Sequence, residues 1–134
     1  MSRVTVNVDG GARGNPGPAA IGVVLRNGDG SVVEEVGERI GEATNNVAEY
    51  RALLRGIELA AAHGAQELEL IGDSELVVRQ VEGRYKVKNA GMKELHAEVK
   101  RALGGFDSWS IRHVRRAENA DADRLVNEAL DGER

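Results

Sequence analysis

Residues 4–18 read VTVNVDGGARGNPGP. Val4, Val6 and Val8 alternate with Thr5 and Asn7, the period-2 pattern of a strand with one buried face. The apolar run stops at Gly10 and Gly11, so a strand is expected to end there with the carboxylate of Asp9 at its tip. Gly14, Pro16, Gly17 and Pro18 then favour a tight loop over a helix. Taken alone, Asp9 is equally well read as an Asx turn former. The positions of the other acids decide between the two readings.

A chain of 134 residues is expected to form a single domain, here 1–134, large enough to bury a core. Aromatic residues make up only 3% of it, so that core must come from Val, Leu, Ile and Ala. With no cysteine, disulfides and thiolate metal sites are excluded. No apolar run approaches a membrane span and the N-terminus lacks a signal-peptide pattern, so a cytoplasmic protein without a membrane partner is expected. The net charge of −4 would by itself argue against a nucleic-acid partner. The basic residues are clustered, however, from Arg79 to Arg101 and at Arg112, Arg115 and Arg116. An acidic centre flanked by basic contacts would give the same total.

Further strands are expected over residues 20–26 and 31–36, joined by the hairpin turn NGDG, which with the first makes an antiparallel meander. Thr44 and Asn45 offer N-caps for a helix with Val47, Leu53, Leu54 and Ile57 on one stripe, stopped by Gly64. Residues 67–71, ELELI, alternate again and end at Gly72 and Asp73. Helices are expected over 74–81 and 92–103, a fifth strand from Trp109 to Val114, and a final helix over 119–130. Strands joined through helices run parallel, so strands 4 and 5 should lie parallel to strand 1 in a mixed five-stranded α/β sheet flanked by helices. Strands 1 and 4 as neighbours would bring Asp9 and Asp73 to one edge, where open α/β sheets build their sites.

Four acids can converge in this arrangement: Asp9, Glu49 on the first helix, Asp73, and an acid opening the last helix. For that last position, helical geometry leaves Asp121 and Asp123 open. Carboxylates gathered without cations repel one another and oppose folding, so such a cluster makes sense as a site for hard cations. Two Mg²⁺ ions about 3.5–4 Å apart are suited to in-line phosphoryl displacement. His63 and His96 have no acidic block nearby and are expected at the surface.

DGGARGNPGPAAIG, TNNVAEYRALLRGI, GDSELVV and HVRRAENADADRLVNEAL together resemble the four acid-bearing blocks of type 1 ribonuclease H, in the family's order. The resemblance implies the ribonuclease H-like fold and Asp9, Glu49, Asp73 and Asp123 as catalytic metal ligands, the family's spacing from Asn119 selecting Asp123. It implies two Mg²⁺ ions, with Mn²⁺ able to substitute, and sequence-independent hydrolysis of the RNA strand of an RNA/DNA hybrid to 5′-phosphate and 3′-hydroxyl ends. It also implies RNA contacts from Gly10, Gly11, Arg13 and Asn15, with Asn45 in the minor groove, where 2′-hydroxyls and base edges are exposed. The connection RYKVKNAG is short where some relatives carry a basic protrusion, leaving Lys86 and Lys88 as candidate contacts to the DNA strand. His113 has the spacing of the family's assisting histidine, and Arg116 matches a subgroup that presents arginine instead. Both remain candidates. No obligate protein partner is implied, and a monomer is expected.

Overall fold

The computed structural model describes residues 2–132. Three strands form the antiparallel meander: β1 (Arg3–Ala12), β2 (Gly17–Asn27) and β3 (Val32–Ala43). There follow α1 (Asn45–Ala62), β4 (Glu67–Gly72), α2 (Glu75–Glu82), α3 (Ala90–Leu103), β5 (Ser108–His113), a 3₁₀ turn (Arg116–Asn119) and α4 (Ala120–Leu130). The five-stranded sheet has the order β3-β2-β1-β4-β5. β4 runs parallel to both β1 and β5, as the helical crossovers require.

Alternation along β1 and β2 sorts the helices. Val4, Val6, Val8, Ile21, Val23 and Leu25 point to one face and pack with Tyr50, Leu53 and Ile57 of α1, Val77 and Val81 of α2, and Val99 and Leu103 of α3. α4 covers the other face, where Val126 and Ala129 meet Ala20. Two glycines permit this closeness. A Cβ on Gly10 would stand 2.2 Å from the Ala48 carbonyl oxygen of α1, and one on Gly22 would stand 2.2 Å from the Ala122 carbonyl oxygen of α4. Any larger residue there would lift a helix off the sheet.

Local signals end the helices where the sequence places them. Thr44 caps α1 by accepting the Val47 amide, Ser74 caps α2, and Gly83, at φ 86°, closes α2. Asn89 caps α3, which begins at Ala90, slightly before the expected start. Among the described residues no helix is long and apolar enough to cross a membrane.

The strands run longer than their apolar patterns. β1 does not stop at Gly10 but continues to Ala12, because Gly10, Gly11 and Ala12 stay paired with Ile21, Ala20 and Ala19 of β2. On its other side the pairing to β4 ends at Asn7↔Ile71. Asp9 is therefore within a strand, but at the point where the neighbouring strand has ended. β3 likewise passes its last buried valine and pairs through Ala43, with a register shift opposite Ala19 and Ala20. As an edge strand with one open side it carries polar residues without loss, which hides it from a hydrophobic pattern. The last helix starts at Ala120 because a 3₁₀ turn occupies Arg116–Asn119.

Candidate active site

The end of pairing between β1 and β4 leaves an opening at the C-terminal edge of the sheet. Asp9 enters it from β1, Asp73 from the residue after β4, and Glu49 from the second turn of α1, whose start is held over Gly10. One carboxylate oxygen from each of the three lies within 4.8 Å of the others. Asp9 and Glu49 are buried, at 7% and 9% exposure.

This geometry is electrostatically costly without a counter-charge. Burial, then the charge of Asp73, pushes the Asp9 carboxyl up to about 7. Burial, then the charges of Asp9 and Asp73, holds the Glu49 carboxyl well above the carboxylate range. An all-oxygen, mutually repelling donor set fits a hard divalent cation, which would offset the repulsion.

The fourth acid stands across the opening. Asp9, Arg13, Asn45, Arg116, Asp123 and Asn127 line a cleft of about 360 Å³. Asp123 reaches Asp9 closely enough to raise its carboxyl further by charge and by hydrogen bonding. Asp121, two residues earlier, points away and binds Arg26 at 2.7 Å. The packing of α4 thus turns Asp123 toward the cleft and Asp121 toward Arg26. A larger cleft of about 480 Å³ beside Pro18, Arg39 and Leu130 contains a single carboxylate, Glu42, and has no second acid to hold a cation.

Arg116 donates to Asp123 Oδ1 at 3.2 Å, and this bond, together with the Asp123 charge, raises its guanidinium pKa further. His113 is half-buried at the end of β5, paired with Gly72, and is not among the cleft residues. Of the two candidates, only Arg116 lies in the cleft.

Asn45 is exposed and is not the helix cap. Its Oδ1 accepts the Ala12 amide at 2.8 Å, and Asn15 Oδ1 accepts the Asn45 amide at 3.0 Å. The glycine-rich loop is thereby clasped to the start of α1, and the Asn45 side chain, which lines the cleft, keeps its NH₂ group as a donor. Gly11 and Arg13 line the cleft, whereas Gly10 is enclosed beneath α1 and its amide hydrogen-bonds the Glu49 carboxyl. Lys86 and Lys88 are exposed on the α2–α3 connection, outside the cleft.

His63 and His96 are half-buried, not free surface residues. His63 Nε2 lies 2.8 Å from Glu34, and His96 bonds the Gln80 carbonyl at 3.0 Å and meets Tyr50 edge-on. Asn127, which no sequence motif marks, also lines the cleft, and its Nδ2 donates to the Asp123 carbonyl at 3.1 Å. Its i+4 spacing from Asp123 was the available signal.

Residues 7–129 match a family model described as reverse transcriptase-like. The chain is 33% identical to the ribonuclease H of Marinobacter nauticus over 96% of its own length and 94% of that protein. It belongs to the ribonuclease H family. Ribonuclease HI of Halobacterium salinarum is 50% identical over 96% of this chain, and a bifunctional protein of Mycobacterium tuberculosis is 45% identical over a similar span. The chain spans 65% of the length of the first and 36% of the second. The crystal structure of the Halobacterium RNase H1 superposes with a TM-score of 0.96, covering 98% of this chain and 99% of that one. LC11-RNase H1, solved in complex with an RNA/DNA hybrid, superposes at 0.92 with 44% identity, covering 97% of this chain and 98% of that one. The mixed five-stranded sheet of this chain is thus that of a ribonuclease H-like fold.

Proposed function

We propose that this chain is a cation-dependent endonuclease that hydrolyses the RNA strand of RNA/DNA hybrids, leaving 5′-phosphate and 3′-hydroxyl ends. The observation that carries the reading is the meeting of Asp9, Glu49 and Asp73 within 4.8 Å, beside a cleft that Asp123, Asn45 and Arg13 also line. The hybrid bound by a relative with a similar fold supports the same substrate class here.

In this reading Asp9, Glu49, Asp73 and Asp123 hold two Mg²⁺ ions, for which Mn²⁺ can substitute. Divalent cations bound there supply the Lewis acidity that readies a water and stabilises a leaving oxygen in phosphoryl transfer. The remaining residues bind and orient. Arg13 and the Gly11 backbone approach the RNA strand's phosphates, with Asn15 fastening the loop that carries them. Asn45 offers its NH₂ to the minor groove, a contact available at any base pair, so cleavage is largely sequence-independent. Gly10 acts by letting α1 bring Glu49 forward. Arg116 holds Asp123 in place and assists turnover, while Lys86 and Lys88 meet the DNA strand's phosphates. Residues 1–134 are taken as one catalytic domain working as a cytoplasmic monomer. Among the described residues the exposed large hydrophobics are Val32 on β3, Leu76 on α2 and Tyr85 on the α2–α3 connection, too few to form an extended apolar patch, which supports a monomer.

A labelled hybrid tests the reading. Cleavage is expected with Mg²⁺ or Mn²⁺ and none with EDTA, and single-stranded RNA and double-stranded DNA should be left nearly intact. Asp73→Asn should reduce cleavage by about a thousandfold, roughly 4 kcal/mol of transition-state stabilisation, and still bind hybrid. Equal cutting of a DNA duplex would replace the reading with another nuclease activity.

A further inference from the structure

Behind the cleft, on the α4 face of the sheet, four side chains form a continuous hydrogen-bond chain. Arg26 donates from Nη2 to Asp121 Oδ2 at 2.7 Å and from Nη1 to Asn7 Oδ1 at 2.9 Å. Asn7 Nδ2 donates to Asn119 Oδ1 at 3.0 Å, and Asn119 Nδ2 donates to the Val8 carbonyl at 2.8 Å. The two amides lie between a guanidinium that can only donate and a carbonyl that can only accept, so the orientation of both is determined. Asn119 is 1% exposed.

The chain joins the start of α4 to the part of β1 that leads into Asp9. Asn119 occupies the N-cap position of α4 but makes no capping bond. A capping Asn contributes about 1 kcal/mol to a helix, and here that amide is turned into the sheet instead. The apolar stripe of α4 lies mostly over β2 and β3, with its backbone against Gly22. Apolar contact is non-directional and tolerates sliding, whereas hydrogen bonds to β1 fix rotation and distance. Asp123 follows Asn119 by one helical turn and is the only proposed ligand carried on α4 itself.

We propose that the Asp121–Arg26–Asn7–Asn119 chain positions the cation site, setting where Asp123 stands opposite Asp9, and that Arg26 is a positioning residue for cation binding although it lies outside the cleft. The inference rests on Asp123 as a cation ligand, as argued above.

Calorimetric titration with Mn²⁺, alongside cleavage assays at graded Mg²⁺, tests it. Arg26→Met keeps the apolar stem and removes both hydrogen bonds. It should raise the Mn²⁺ dissociation constant and the Mg²⁺ needed for half-maximal rate about tenfold, the scale seen when groups orienting a metal ligand are lost. The KM for hybrid should not change, and saturating Mg²⁺ should restore kcat. Asp121→Ala, at an exposed position, should shift both cation readings about two- to threefold in the same direction. Adding it to Arg26→Met should cause no further loss, since the chain is already broken. Unchanged Mn²⁺ affinity in Arg26→Met, or a lowered melting temperature with unchanged affinity, would overturn the proposal. If Arg26→Met does not fold, Asp121→Ala decides by the same criterion. Calorimetry reads binding and not hydrolysis. A wild-type chain that binds Mn²⁺ without cutting hybrid would therefore refute the functional reading, while the shift in Arg26→Met would still support this one.

Discussion

The side-chain oxygen of Asn45 accepts the backbone N–H of Ala12 at 2.8 Å, tying the first residue of α1 to the last of β1. The bond uses the acceptor half of the amide and leaves the donor half for a ligand. Asn45→Asp keeps the acceptor and removes the donor, so it should preserve the melting temperature while raising the KM for hybrid about tenfold or more, the scale of one hydrogen bond plus an unfavourable charge. Asn45→Ala should raise KM and lower the melting temperature together. Steady-state kinetics beside thermal melts separate the two effects, and an unchanged KM in Asn45→Asp would remove Asn45 from the substrate surface.

Arg116 bonds Asp123 and lines the cleft, while His113 does neither. Arg116→Ala should therefore lower kcat about tenfold or more, within the usual range for one charged hydrogen bond of about 1.5–3 kcal/mol. His113→Ala should leave kcat within about twofold, since a truncation away from a contact typically costs little. The opposite order in single-turnover rates would move the assisting role to His113.

Metal-free protein should lose stability as pH rises. The Asp9 carboxyl is at about 7 in the folded chain against 3.8 in its absence of structure. Between those values the folded state holds more protons than the unfolded one, so unfolding free energy falls with increasing pH across that window. Burial of the neighbouring Glu49 acts in the same direction. In EDTA, the melting temperature of Asp9→Asn minus that of wild type should grow from pH 5 to pH 8, and Mg²⁺ should shrink the difference at the alkaline end. A difference that does not vary with pH would show that Asp9 is not perturbed in this way.

Two adjacent glycines should respond differently to one methyl group. On Gly10 a Cβ would meet backbone atoms of Ala48 at 2.2 Å, and backbone cannot yield without moving α1 and Glu49 with it. On Gly11 the nearest atom is a Val126 methyl at 3.7 Å, an ordinary contact. Gly10→Ala should cost about 3 kcal/mol or more and weaken Mn²⁺ binding, and Gly11→Ala less than about 1 kcal/mol. Chemical denaturation of both variants checks this, and equal losses would mean that α1 is not held by that contact.

The sequence by itself determined which segments form elements and which faces they bury. Alternating valines in β1, the cap at Thr44 and the stop at Gly64 are local signals, resolved by interactions within a few residues. The acid-bearing blocks were likewise legible as a family pattern. Only the tertiary structure decided the ends of β1 and β3, because a strand continues as long as a distant partner supplies hydrogen bonds, whatever its own polarity. It also placed Asp123 and Arg116 in the cleft and left Asp121 and His113 outside it. Residues so close along the chain differ only in what lies opposite them, and that depends on how α4 and β5 are seated against the rest of the sheet. The hydrogen-bond chain from Asp121 to Asn119 joins residues far apart in sequence, and no local pattern could have announced it.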